Sequence, residues 1–456
     1  MAYGGGTWLV QNKVLPGTYI NFVSKERAEL VFSDRGYAAI GVELDWGIDE
    51  EIFKVENGDF IENSTKYFGH SYDSDKLKGL RDFFKYTQTG YIYKLNTGGA
   101  KATNAFGSAR YTGERGNDIK ISIQANVDNT SLFDVTTFVD SEKVDVQTVA
   151  AAQDLKTNDF VIFKSDATLA VTAGTPMTGG TNGTVTGASH QKFLDKIDKY
   201  FINVLVCTSN EKTIKDLYVQ YTKRMRDKVG AKFVCVVYRA TDPDYEGVIN
   251  VKTKTLDSDF PENSAVYWVG GAEAYCAVNR SLTNQKYNGD FKLEVEETQT
   301  ELELAVKAGY FIFHKTGDEI RVLKDINSFV SFIKRKNVDF SFAQVMRTLD
   351  QIATDVATIF NKTYLGSSNN TEYDRNDLKR DISKHHETLE DLRAIKDFNE
   401  ETLYIFVGDY FDRGIQPVET FNIILDLLEK PNVILIEGNH EEKSMKKFIY
   451  DEEKYT

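Results

Sequence analysis

Hydrophobic and polar positions change their period several times along the chain, and each change marks a predicted element. Gly36-Tyr-Ala-Ala-Ile-Gly-Val-Glu-Leu44 is an apolar run between Gly and Asp punctuation, which predicts a buried strand, and a helix is expected over 74–87. Ile119, Ile121, Ile123, Ala125 and Val127 then recur at every second position, the period of a strand with one buried face. Strand patterns continue over 133–140, 143–150 and 160–164, and the Gly/Thr-rich stretch 171–187 reads as an exposed closing loop. Phe201–Cys207 is an apolar run interrupted only by Asn203. In 212–229, Ile214, Leu217, Tyr221 and Met225 recur at spacings of three and four, predicting a helix that Gly230 can end. Phe233–Tyr238 follows as a second buried strand. Strand, helix and strand in succession predict a sheet that is at least partly parallel. A further helix is expected over 264–282, paired strands over 301–324 and a helical stretch over 326–361.

These periods describe a multi-domain α+β, or mixed α/β, chain: an α/β core with an inserted β domain and terminal arms. Residues 1–22, Gly-rich and then extended, read as an arm. The core takes 23–95 together with 190–330, the insert 96–189, and a mainly helical C-terminal unit 331–400, leaving 401–456 as a separate segment.

Composition removes several functions. With 55 basic against 69 acidic side chains over 456 residues, the net charge of −14 argues against direct nucleic-acid or anionic-membrane binding, which depend on concentrated Lys and Arg. No apolar run approaches the roughly 18 residues of a membrane span, and the first residues carry no secretion-signal pattern, so synthesis in the cytosol is expected. Cys207, Cys235 and Cys276 form no Cys-x-x-Cys pair and read as buried structural residues. Neither a Gly-x-Gly-x-x-Gly nor a phosphate-loop motif stands at the strand-to-helix turn, so no nucleotide cradle is expected.

Four stretches carry a family pattern. They are Asn12-Lys-Val-Leu-Pro-Gly-Thr-Tyr-Ile-Asn-Phe22, Thr112-Gly-Glu-Arg-Gly-Asn-Asp-Ile119, Arg347-Thr-Leu-Asp-Gln-Ile352 and Lys384-His-His-Glu-Thr-Leu-Glu-Asp-Leu-Arg-Ala-Ile395. In this order and context, residues 1 to about 399 resemble the contractile tail sheath protein of tailed bacteriophages and phage-tail-like particles. The resemblance implies a virion structural protein, made in the bacterial host cytoplasm, whose copies stack as sixfold rings into a helical tube. Its implied partners are itself, the tail tube protein and the baseplate, with no membrane insertion and no catalytic residues. It also implies that extended arms add strands to a neighbour's sheet while the globular bodies move. His385 and His386 are adjacent, about 100° apart on a helix, and do not read as a metal pair.

From Glu401 the sheath pattern stops and its usual final strand is missing. Thr402-Leu-Tyr-Ile-Phe-Val-Gly-Asp-Tyr-Phe-Asp-Arg-Gly414 and Asn432-Val-Ile-Leu-Ile-Glu-Gly-Asn-His-Glu441 instead resemble part of a calcineurin-like metallophosphoesterase, the class of the serine/threonine phosphatases. That resemblance implies Asp409 and Asn439 as metal ligands, Asp412 orienting His440, Arg413 on phosphate, and manganese or another divalent metal activating water. The same pattern needs an upstream Asp-x-His. Asp381-Ile-Ser383 offers Ser in place of the His, Lys384 follows where a Gly is expected, and no histidine comes after His440. The expectation is therefore an inactive fragment without catalytic residues or cofactor, in which Asp409 and Asn439 are vestigial. A metal-dependent phosphoesterase is the alternative, and a carbohydrate-binding module built on the β insert is a third reading.

Overall fold

The structure, a computed structural model, describes residues 35–334, 336–365, 371–389, 404–408 and 433–437. The expected arm, 1–22, lies outside them. The chain divides into two compact units, Met1–Ala357 and Thr358–Thr456.

The first unit opens with β1 (Tyr37–Val42), β2 (Ile52–Glu56), α1 (Asn57–Phe68), α2 (Lys78–Phe84) and β3 (Thr89–Lys94). The insert follows as β4 (Gly107–Ala109), β5 (Ile119–Ala125), β6 (Phe133–Val139), β7 (Glu142–Val149), β8 (Val161–Phe163) and β9 (Thr172–Pro176). The chain then returns through α3 (Gly187–Ile197), β10 (Val204–Val206), α4 (Lys212–Arg224), β11 (Val234–Tyr238), β12 (Val248–Val251), α5 (Ala265–Tyr275) and α6 (Gln299–Lys307). After β13 (Tyr310–Phe311) and the hairpin of β14 (Phe313–Thr316) and β15 (Glu319–Val322) comes α7 (Ala343–Ile359).

Seven strands form the central sheet in the order β13-β12-β11-β10-β1-β3-β2, parallel except for the edge strand β2. Helices cover both faces, which is why the inner strands read as continuous apolar runs rather than as alternation. Ala38, Ile40 and Val42 of β1 pack on one side with Phe60 of α1, Phe83 of α2 and Trp268 of α5. Ala39 belongs to the opposite layer, with Tyr93, Phe193 of α3 and Tyr218 of α4. All three cysteines are reduced and buried. A π-type turn, Met225–Val229, prolongs α4, and Gly230 ends it in the left-handed region at φ 91°.

The insert holds a four-stranded antiparallel sheet, β7-β6-β5-β9, and the separate pair β4-β8. Ile119, Ile121 and Ile123 face its own apolar core, and Trp46 reaches into that core from the segment after β1. Tyr111 meets the Trp46 ring edge-on at 5.2 Å, and Phe160 stacks at 6.0 Å. Beside it the fully buried Lys94 ammonium donates to Thr112 O at 2.8 Å and pairs with Asp49 at 3.2 Å. Gly113 adopts φ 132°, and a Cβ there would lie 1.9 Å from Asp45 O, so any side chain would force the insert away from the core.

Several elements differ from the sequence pattern. Leu302 and Leu304 alternate with glutamates, yet 299–307 is helical, because Thr298 and Glu301 form a capping box that satisfies the first amides. The expected loop 171–187 contains β9, which pairs with β5 across a register shift. The 74–87 helix shortens to a 3₁₀ turn at Asp75–Leu77 plus α2, and α5 stops at Tyr275. Helix in 326–361 begins only at Ala343, apart from a 3₁₀ turn at Val338–Ser341. Neither α1 nor α3 was legible. α1 contains Gly58 and a non-helical Asn63, although Phe60, Ser64 and Phe68 share its buried face.

Asp82 anchors α2 from inside. Its carboxylate, with no exposed surface, accepts from Tyr287 Oη at 2.9 Å and from the Asp290 amide at 2.7 Å. Burial pushes it up to about 6 despite those two bonds. A carboxyl raised in the folded state contributes fully below its ordinary value near 3.8 and loses that contribution as pH rises through about 6. Wild-type stability should therefore fall by up to roughly 3 kcal/mol across this window. Asp82→Asn, which resembles the protonated carboxyl, should flatten that part of a denaturation profile measured from pH 4 to 7; an unchanged slope would assign it to another group.

Candidate functional site

The most concentrated chemistry in the first unit lies where α7 meets the core. α5 is apolar except for Glu273, and that one carboxylate is fully buried. Arg347 of α7 donates to Glu273 Oε2 at 2.6 Å, to Asp325 Oδ2 at 2.6 Å and to Arg280 O at 2.8 Å. Arg35, also buried, donates to Glu273 O at 3.3 Å. One turn along α7, Asp350 receives both terminal nitrogens of Arg226, at 2.7 and 2.8 Å, while Arg226 also donates to Phe233 O at 2.6 Å. Thr348 adds a bond to Val278 O.

Two acids, Glu273 and Asp325, and two guanidiniums, Arg347 and Arg35, meet at this junction. Burial, and then the charge of Asp325, push Glu273 well above the usual carboxylate range against the pull of Arg347. Burial also opposes the Asp325 anion, yet Arg347 and the Leu282 amide hold it below its ordinary value. Burial alone would lower the Arg347 guanidinium, but Glu273 and Asp325 raise it overall. Arg35 is lowered to about 10, by burial first and then by Arg347. Glu273 Oε1, Asp325 Oδ1 and Arg347 Nε are buried without a hydrogen-bond partner, and the upward push on Glu273 favours its protonated form. The arrangement ties elements together: both terminal nitrogens of Arg347 and of Arg226 are taken up by other groups of the chain. Sequence reading picked out Arg347 and Asp350 only as part of a family pattern. The lone carboxylate inside the apolar 265–275 run was the local signal for Glu273.

The second unit contains a π-type turn at Phe360–Tyr364, α8 (Glu372–Leu389), β16 (Tyr404–Gly408) and β17 (Val433–Glu437). The two strands pair in parallel from Tyr404 opposite Val433 to Gly408 opposite Glu437, so their C-terminal ends lie side by side. Asp409, Asp412, Arg413, Asn439 and His440 lie outside the described residues. The Asp381–Ser383 segment and both His385 and His386 are on α8, not at the end of a strand. Asp381 accepts the Tyr364 hydroxyl at 2.6 Å.

Removing one partner of a buried pair leaves an uncompensated charge, typically at a cost of about 3–5 kcal/mol. Arg347→Met should therefore loosen α7 selectively. Amide exchange across Ala343–Ile359 should accelerate while β1, β3 and β10 remain protected, and unchanged protection of α7 would show that the ion pairs do not hold it.

Comparison with known proteins completes the picture. The phage tail sheath protein beta-sandwich domain matches residues 96–182, the phage tail sheath protein central domain 183–328 and the phage tail sheath C-terminal domain 335–409. Calcineurin-like phosphoesterase matches 381–455, overlapping the last of these. The phage-like element PBSX protein XkdK of Bacillus subtilis is 30% identical over 91% of this chain and 97% of its own length. A crystal structure of the sheath tail protein from Desulfitobacterium hafniense superposes with a TM-score of 0.72 at 33% identity, covering 85% of this chain and 92% of that one. Serine/threonine-protein phosphatase PP1-1 of Saccharomyces cerevisiae is 39% identical over 62 residues, 13% of this chain and 20% of that protein. The chain belongs to the phage tail sheath protein family, and its C-terminal segment is similar to part of a calcineurin-like phosphoesterase.

Proposed function

We propose that the protein is the structural subunit of a contractile tail sheath, polymerising around a tail tube in stacked sixfold rings and shortening by rearrangement of its subunits. Baseplate and tube protein are its other partners, and the virion tail or a phage-tail-like particle is its destination. On this reading residues 1–22 are the arm that adds a strand to a neighbour, 23–95 with 190–330 the core, 96–189 the insert and 331–400 the C-terminal sheath unit. The observation that carries it is the buried junction at Arg347 and Asp350. A subunit that transmits axial force needs its C-terminal helix fixed to its body, and two ion-pair sites facing different elements do this.

The segment 401–456 is proposed to be catalytically silent, with Asp409 and Asn439 as remnants and no resident metal. Ser383 stands where the phosphoesterase pattern places a histidine. That stretch is also helical, whereas metal ligands of such a site leave the ends of strands. Negative-stain micrographs of the whole chain and of the chain lacking 401–456 should show rings or tubes from at least one. Uniform small particles from both would count against assembly. Manganese should elicit no aryl-phosphate hydrolysis, and activity that Asp409→Ala abolishes would establish the enzyme instead.

A further inference from the structure

We infer that the stretch immediately ahead of Arg35, with Leu30, Val31 and Phe32 at its centre, docks in a cleft of its own subunit, so that the arm springs from this cleft rather than from Arg35. The cleft, of about 660 Å³, lies between α1, α2 and the C-terminal end of α5. Its floor is apolar: Phe60, Phe84, Cys276 and Leu282 line it, and all four belong to the core. A space of this size takes in several side chains at once. Its walls are fixed by bonds within the described fold. Asn57, at the start of α1, donates from its side chain to Thr87 O at 2.9 Å and from its amide to Gln88 O at 2.9 Å. On the α2 side Asp290 holds Arg81 at 2.7 Å and Lys85 at 2.9 Å. Opposite them, Asn288 accepts from Trp268 Nε1 at 2.8 Å. The shape of the cleft is therefore set by the packing around it.

The chain enters the described fold at this same place. Arg35 is buried and donates to Glu273 O of α5, and Cys276 of the cleft floor stands three positions further on, about 4.5 Å along the helix. Gly36 O accepts the amides of Gln88 and Thr89, both at 3.0 Å, just after Tyr86 of the cleft wall. Gly36 adopts φ 118°, and a Cβ there would lie 2.8 Å from the Gln88 side chain, so the crossing suits glycine alone. Arg35 and Gly36 are thus pinned between two walls of the cleft. Phe32 stands three residues upstream, at most about 11 Å of extended chain. It belongs to an apolar triplet, Leu30-Val-Phe32, set between Glu29 and Ser33-Asp34. Docking removes that triplet from water onto an apolar floor. So short a tether also gives the segment an effective concentration far above that of a partner in solution, which favours the chain's own residues over a neighbour's. The inference concerns one chain and does not rest on assembly.

Cys276 is a native reporter of the cleft. It is 7% exposed, and burial pushes its thiol up to about 12, so it attacks disulfide reagents slowly while covered. Cys207 and Cys235, with no exposed surface, are the internal controls. In the full chain carrying Leu30→Glu and Phe32→Glu, Cys276 should react with a nitrobenzoate disulfide at least tenfold faster than in the wild type, while Cys207 and Cys235 stay silent. Adding Cys276→Ser should remove the gain, and an unchanged rate in the acidic variant would overturn the proposal. A second measurement decides independently of any loss of folding. The full chain with Phe32→Cys, oxidised in dilute solution, should close a disulfide to Cys276 within one chain, a faster-running monomer that reductant reverses and Cys276→Ser abolishes. A dimer joined through Cys276 would overturn the proposal in favour of a neighbour's segment. So would the absence of any bond to Cys276 from Leu30→Cys, Val31→Cys and Phe32→Cys alike, in favour of an occupant from outside the chain. Either failure would leave the sheath reading intact, since that is tested by tubes in micrographs.

Discussion

A guanidinium buried between two carboxylates is the constraint on which the placement of the C-terminal helix depends. Arg347 cannot leave its site without taking the guanidinium partner from both Glu273 and Asp325, each a fully buried acid side chain. Forming such a cluster adds little net stability, because desolvation offsets the Coulomb gain. What it adds is discrimination. Asp350, three residues on, needs Arg226 at the end of α4, whereas Arg347 needs α5 and the segment at Asp325. Turning α7 by one residue, about 100°, would unpair both sites together. One rotation and one axial position of that helix are therefore selected.

The β insert is fastened on a different principle. Its seam with the core uses a large apolar side chain, Trp46, a single buried cation, Lys94, and a backbone approach that admits no Cβ at Gly113. Shape does there what charge does at α7. Both devices work against internal bending, so the first unit is built to move as a body.

What the sequence revealed depended on the range of the signal. β1, β10 and β11 were legible because strands buried on both faces are apolar at every position, and the 212–229 helix because its apolar stripe is local. α6 was misread since Leu302 and Leu304 imitate a strand period, and only the Thr298–Glu301 capping pair gives the helix away. The ion-pair junction was not legible at all as a site. Arg347 and Glu273 are 74 residues apart and Arg226 and Asp350 124 apart, and no local period encodes such pairings. A charge alone in an apolar helix says that a partner exists without saying where.

Residues 381–409 match both the sheath C-terminal domain and the phosphoesterase, and physical chemistry separates the two claims better than similarity does. A two-metal site asks for ligands converging from neighbouring strand ends, and the parallel pairing that brings Gly408 beside Glu437 supplies two such ends. The third contribution would come from the Asp381 region, which is helical and whose carboxylate is already hydrogen-bonded to Tyr364. A helix there suits the sheath unit, where it follows α7 in sequence. Among the described residues β16 and β17 pair only with each other, whereas a metal-binding sheet edge draws ligands from several neighbouring strands.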